Sequence, residues 1–318
     1  MSAPAPARTG ADQDRNRRED STGPTRPSAG AAPVRFGFAL RALAALPAGP
    51  RNALGRSLGR LALHFATERR RVAAENIAQA FPDWREADRD ALLRAHFEHL
   101  GLTVMETAVA WGASDAVLDE HFDTRFDVLG LELLEAARSE GRGILLAGCH
   151  LLTLELCGAL LARRMPLDAV QRRHDGRTVD ALQTHGRGRH YGALLDKHDV
   201  RAVLRRLRDG HVVWLAADQD AGPRHGVFVP FFGRLASTQR APARLVRLAG
   251  AALLRVDHWR DTATGRWTLR FAAIDVPEAA DDEAATARIT ASIEAAVREH
   301  PEQYLWVHRR FKTRPPSD

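Results

Sequence analysis

From residue 143 onward, short apolar runs alternate with stretches of helical spacing. Gly143–Gly148 (GILLAG) reads as a buried strand, and a helix follows it through Arg164. Leu167–Gln171 and Val212–Ala217 are further strands, while Thr178–Gly186 and Val200–Leu207 carry the helical pattern. Gly226–Phe232 is extended, Arg240–Ala249 is helical, Ala252–His258 and Trp267–Ile274 are strands, and Asp282–Glu299 is a helix. Strand and helix in alternation predict an α/β fold, a mixed central sheet flanked by helices. On such sheets ligands gather where strands end and helices begin.

The first half reads differently. Glu86–Trp111 is strongly helical, with Leu92, Leu93, His96, Leu100 and Met105 on its apolar face. His96 and His99 stand three apart there, a spacing that could serve a metal, but no third ligand follows and packing is the simpler reading. Residues 34–66 are apolar but interrupted by Arg35, Arg41, Arg51, Arg56 and Arg60. A spanning helix needs about 20 mostly apolar residues, so no transmembrane helix is expected. Leu54, Leu58, Leu61 and Phe65 share one stripe while Arg56 and Arg60 turn away. That is the pattern of a basic amphipathic helix lying flat on an anionic bilayer. It equally fits a surface helix docked on its own core. Residues 1–33 hold Pro, Ala, Gly, Ser and charge with almost no large apolar side chain, and read as a disordered tail. They lack the apolar region and cleavage site of a signal peptide. The division expected is therefore a tail over 1–33, a membrane-associating helical segment over 34–66, and a catalytic domain over 67–318.

Composition narrows the classes. With 318 residues and 45% hydrophobic content the chain can bury a large core, which excludes disorder throughout. Its net charge of +6, carried almost wholly by Arg, suits an acidic partner: nucleic acid, anionic lipid or an acidic carrier protein. No nucleic-acid-binding motif is present, so nucleic acid is not expected as a partner. The two cysteines, Cys149 and Cys157, form neither a disulfide framework nor a zinc pattern.

The sharpest chemistry lies in GILLAGCHLLTLE, where a strand runs into Gly148, Cys149 and His150, and Glu155 follows five positions on. A histidine supplies a base near neutral pH, and a carboxylate on its second nitrogen fixes the tautomer. On a continuous helix the two side chains would stand roughly 140° apart and could not touch. The dyad works only if His150 occupies the turn ahead of the helix that carries Glu155. Backbone N–H groups of that new helix could then stabilise an oxyanion. Cys149 is a rival nucleophile, or it caps a buried strand. In VVWLAADQDAGPRHGVFVPFFG, Asp218 and Asp220 leave a strand before Arg224. Asp-x-Asp can hold a divalent cation on a sugar nucleotide, which keeps a metal-dependent glycosyltransferase in play; the alternative is an Asp turn closed by Gly222 and Pro223. Arg172 and Arg173 at a strand end, and Arg187 and Arg189 after a helix, could bind phosphate or serve as plain surface charges.

With these residues laid out, the chain resembles the bacterial lipid A late acyltransferases, the lauroyl and myristoyl transferase family, over roughly residues 50–315. CHLLTLE is similar to the family's His-x4-Glu signature, and RRVAAENIAQAFP, with Asn76, to its N-terminal block. Arg172 and Asp175 stand where the next block has an Arg and an Asp; DQDAGPRHGVFVPFFG and PEQYLWVHRRFKTRP resemble the later blocks. The resemblance implies a glycerolipid-acyltransferase-like fold and direct transfer of a fatty acid from acyl carrier protein to a hydroxyl of a Kdo-bearing lipid A precursor, in lipopolysaccharide biosynthesis. His150 would be the general base, Glu155 its orienting partner, and Arg172 or helix N–H groups would hold the thioester oxyanion. Arg187, Arg189 and Arg224, oriented by Asp218 and Asp220, would contact the acceptor. No metal or organic cofactor is implied. The partners implied are acyl carrier protein, the glycolipid acceptor and an anionic membrane surface, with the chain peripheral or monotopic on the cytoplasmic face of the bacterial inner membrane. Members of the family usually carry a longer hydrophobic N-terminal segment than this chain does. Relatives that acylate other lipids keep the same core, so another glycolipid or lysolipid acceptor also stays open.

Overall fold

A computed structural model describes residues 34–174, 176–277 and 279–315. The expected tail over 1–33 and the motif residue Asp175 lie outside the described residues. The described residues fall within one compact unit.

The sheet is built as the alternation predicts. Its strands are β1 (Phe126–Leu129), β2 (Ile144–Gly148), β3 (Asp168–Gln171), β4 (Leu194–Asp196), β5 (Val212–Ala216), β8 (Ala252–Asp261) and β9 (Arg266–Ala273), in the order β1-β9-β8-β2-β5-β3-β4. Only β8 and β9 pair antiparallel; every other neighbour is parallel. A separate antiparallel hairpin, β6 (Gly226–Phe231) with β7 (Arg234–Gln239), stands outside that sheet. Thus the extended run at 226–232 does not join the central sheet, and its partner at 234–239 carried too little apolar character to be read as a strand. Its turn places Phe232 at φ 53, rare for a residue with a bulky side chain. Phe232 is held there by edge contacts to Phe81 and Trp306 and by its N–H donating to Glu294 at 2.5 Å.

Central β2 is buried along its whole length because it is covered on both faces. Leu145, Ala147 and Cys149 enter one core with Val213, Leu215, Ile289 and Trp306. Ile144 and Leu146 enter the other with Leu156, Leu160 and Trp214. Helices α7 (Leu154–Ala162) and α12 (Asp282–Glu299) contribute to the opposite cores. Before α7 come α5 (Asp115–Arg125) and α6 (Leu131–Ser139), and between α7 and α12 run α8 (Arg177–Gly188), α9 (Val200–Arg208), α10 (Gly222–His225) and α11 (Ala241–Ala249).

Ahead of the sheet come α1 (Val34–Ala44), α2 (Ala48–Phe65), α3 (Thr67–Ala80) and the long α4 (Glu86–Gly112). Among the described residues no helix is long and apolar enough to cross a membrane. Helix α2 docks on α4 through small residues. A side chain on Gly101 would strike the backbone of Gly55 and Gly59, and one on Gly59 would strike that of Phe97. Arg56 and Arg60 are ion-paired to Glu98 of α4, at 3.1 and 2.8 Å, and so fasten α2 to the protein. The stripe foreseen in the sequence is left outward: Leu54, Leu58, Leu61 and Phe65 are all exposed, Phe65 to 77%. The docked reading of this helix thus holds on the face toward α4, while the apolar stripe lies on the opposite, exposed face. Gly101→Val is expected to force α2 off α4, lowering stability by about 1–3 kcal/mol; thermal unfolding checks this, and an unchanged midpoint would show that the close approach is dispensable.

Candidate active site

Strands β2 and β5 run parallel with Gly148 opposite Ala216. Two residues beyond each strand end stand His150 and Asp218, and this register brings them together. Asp218 accepts from the His150 ring at Nδ1, 2.7 Å away, and from the His150 backbone N–H at 2.9 Å. The carboxylate is sealed, its side chain 2% exposed, whereas the imidazole keeps 24%. With Nδ1–H donated to Asp218, Nε2 carries the lone pair. It meets the side-chain amide of Gln219 at 3.1 Å. This is the tautomer a general base needs.

Electrostatics follow from that contact. Burial acts to lower the His150 pKa, but the charge and hydrogen bond of Asp218 outweigh it and hold the imidazole above its ordinary value. Asp218 itself is pushed below the usual carboxylate range: burial opposes ionisation, and the His150 charge and both hydrogen bonds overcome it.

Glu155 takes a different place. It lies in the first turn of α7 and receives Arg187 through Nε at 3.2 Å and Nη2 at 2.5 Å, and the Trp111 indole N–H at 3.1 Å. Arg187 also reaches Gln171 at 3.2 Å. The carboxylate bound to the His150 ring is that of Asp218, where the sequence pointed to Glu155. The reason is the turn, which leaves His150 outside the helix and facing β5. The charge of Glu155 favours the His150 imidazolium, but that of Arg187, bound to it, opposes it more strongly.

The remaining predicted residues separate. Arg189 donates to the carbonyls of Trp111 and Ala113 at 2.7 and 2.8 Å, capping α4. Asp220 accepts from Gly222 N–H at 2.9 Å and from the Thr313 backbone and hydroxyl at 2.9 and 2.8 Å, so its carboxylate closes a turn. With Asp218 engaged by His150 and Asp220 by this turn, the Asp-x-Asp segment follows the turn reading. Arg172, just past β3, and Arg224, in α10, are exposed. Cys149 is buried in the core and burial drives its thiol well up, which removes it as a nucleophile. His96 and His99 are also buried, their pKa values pushed down to about 4 and about 3 by burial; His99 accepts from Arg260 at 2.9 Å.

A third segment, residues 301–313, latches the other two. Leu305 N–H donates to the His150 carbonyl at 3.0 Å, and Leu152 N–H to that of Gln303 at 2.7 Å. Arg310 donates to Ser237 and Thr238 at 2.7 and 2.6 Å, in the strand that bridges to Asp220. Asn76 in turn clamps this segment, its amide donating to the carbonyls of Trp306 and His308, both at 2.6 Å.

A partly exposed imidazole at a strand end, held by a buried carboxylate, is an arrangement able to accept a proton from a hydroxyl. The comparisons with known proteins give this arrangement a family. Residues 35–313 match the family described as bacterial lipid A biosynthesis acyltransferase, and the chain belongs to it. It is 36% identical over 264 residues to the lipid A biosynthesis lauroyltransferase of Escherichia coli K12, covering 82% of this chain and 85% of that one. The palmitoleoyltransferase of the same organism is 34% identical over 263 residues, with the same coverage. Its myristoyltransferase is 28% identical over 284 residues, covering 88% and 86%. The chain is therefore an acyltransferase, and the glycosyltransferase alternative falls away.

Proposed function

We propose that the protein transfers a fatty acyl group from acyl carrier protein to a hydroxyl of a lipid A precursor, with His150 as general base and Asp218 as its orienting carboxylate. The observation that carries this reading is the His150–Asp218 contact, which leaves one ring nitrogen with its lone pair directed away from the core. The acceptor hydroxyl displaces the Gln219 amide from Nε2 and gives its proton to that nitrogen. Its oxygen attacks the thioester carbonyl, forming a C–O bond and an oxyanion. When the C–S bond breaks, the imidazolium returns the proton to the departing thiolate. Glu155 fixes Arg187 beside the site, as a positioning residue. Arg224, exposed in α10, would meet the acceptor's phosphates.

Work at the cytoplasmic face of the inner membrane, as a peripheral or monotopic protein, is supported by the outward stripe of α2, together with Phe38 of α1, 75% exposed. The test is direct. Purified protein is incubated with dodecanoyl-acyl carrier protein and a Kdo-bearing lipid A precursor in mixed micelles, and the glycolipid is weighed by mass spectrometry. A gain of one acyl ester is expected. A precursor unchanged in mass beside intact wild-type protein would refute the donor and acceptor assignment.

A further inference from the structure

The oxyanion of acyl transfer needs a preorganised donor, and the turn at His150 has few to offer. Of its backbone N–H groups, that of His150 goes to Asp218, that of Leu151 to Cys149, that of Leu152 to Gln303 and that of Leu154 to Leu151. The loop that was expected to present N–H groups to the substrate uses most of them to hold its own shape.

Trp214 of β5 lies beside this loop. Its side chain points to the same face of the sheet as Gly148, and the edge of the indole bearing Nε1 is laid over that glycine so closely that any Cβ there would collide with it. Gly148 is thus the gap through which the indole reaches the strand end. The ring stands edge-on to His150, with centroids 6.5 Å apart and planes at 80°. Among the described residues the Trp111, Trp267 and Trp306 indoles each donate a hydrogen bond, whereas those of Trp84, Trp214 and Trp259 donate none, and of these three Trp214 alone is buried. Nor is its nitrogen among the unpartnered polar atoms sealed from solvent. A buried ring has been brought to the reaction centre with its one donor unengaged.

From this geometry, and resting on the assignment of His150 as the base, we infer that the Trp214 indole N–H donates to the thioester carbonyl oxygen as it becomes an oxyanion. A hydroxyl sits about 2.6–3.2 Å from its base and an oxyanion about 2.7–3.1 Å from its donor. With centroids 6.5 Å apart the two rings are close enough for one tetrahedral carbon beside them to be reached by both. The electron pair that the attacking oxygen brings to the carbonyl carbon moves onto the carbonyl oxygen, where the N–H meets it. It returns as the C–S bond breaks and the thiol leaves with the proton from His150.

Trp214→Phe keeps the ring and deletes the donor. With dodecanoyl-acyl carrier protein and the lipid A precursor, kcat is expected to fall about 10²-fold, the loss seen when one oxyanion donor is removed, while KM for the thioester changes less than about twofold. A structural role alone would lower the unfolding midpoint and leave kcat per folded molecule unchanged. Trp214→His, which retains a ring N–H in a smaller frame, guards against a folding defect in the Phe variant: a milder kcat loss for His than for Phe supports the donor, and equal losses overturn it. Wild-type kcat in Trp214→Phe beside an inactive His150→Ala overturns the Trp214 role alone. Wild-type turnover in His150→Ala removes the base assignment and this inference together.

Discussion

His150→Ala is expected to lower the rate of acyl transfer by about 10³-fold, within the range that a general base contributes, and to leave the fold standing. The side chain is partly exposed and its one strong contact is to Asp218. The backbone contacts that shape the loop, Leu305 N–H to the His150 carbonyl and Leu152 N–H to Gln303, survive the change. Loss of rate with an unaltered unfolding curve would assign the effect to chemistry. A variant that turned over normally would leave the proton of the acceptor hydroxyl with no assigned destination, and the mechanism would fail.

Asp218→Asn is expected to cost as much or more, on the order of 10³–10⁴-fold, as when the orienting carboxylate of a Ser-His-Asp site becomes an amide. An amide oxygen can still accept one hydrogen bond, but the NH2 beside it favours the tautomer whose lone pair is on Nδ1. The proton then sits on Nε2, and the base is lost without a change in shape. The pH profile supplies a second readout. In the wild type, burial lowers the His150 pKa and Asp218 raises it further, so the acid limb of kcat/KM is expected above the ordinary histidine value of about 6.5. In Asp218→Asn the raising charge is gone while burial remains, so the residual activity's acid limb moves to lower pH. A limb that stays in place would show that another group titrates.

The sheet was legible where apolar character and length agreed. β2 and β5 are apolar throughout because both their faces are covered, whereas β9 alternates, with Trp267, Leu269 and Phe271 buried, and β8 opens on an apolar run before its charged residues. The short β1 and β4, four and three residues long, escaped because a run that brief has no period to detect. β7 escaped because its sequence, RLASTQ, is largely polar, and its pairing is decided by the hairpin turn.

At the site, His150 announced itself by its place at a strand end, but its partner did not. Asp218 stood in view as part of an Asp-x-Asp pair, and the local motif drew attention to the nearer Glu155. The signal that would have found it is register: two parallel neighbours ending together put residues two beyond each end side by side. Strand adjacency is a property of the fold, and sequence spacing does not carry it. Arg189 and Asp220 show the opposite limit. Both are polar residues in motif-rich segments, and only coordinates reveal that one caps α4 and the other closes a loop. The tie from Asn76 to the carbonyls of Trp306 and His308 spans 230 and 232 positions, and no local pattern reports it.

The stretch from Gln303 to Thr313 leaves the ribosome after the sheet, the base and the carboxylate have all been made, yet it fastens the loops that bear them. A nascent chain can bury β2 against β5 and β8 and still hold an unbraced imidazole. The bracing of the His150 loop thus waits for residues synthesised after both of the strands that flank it.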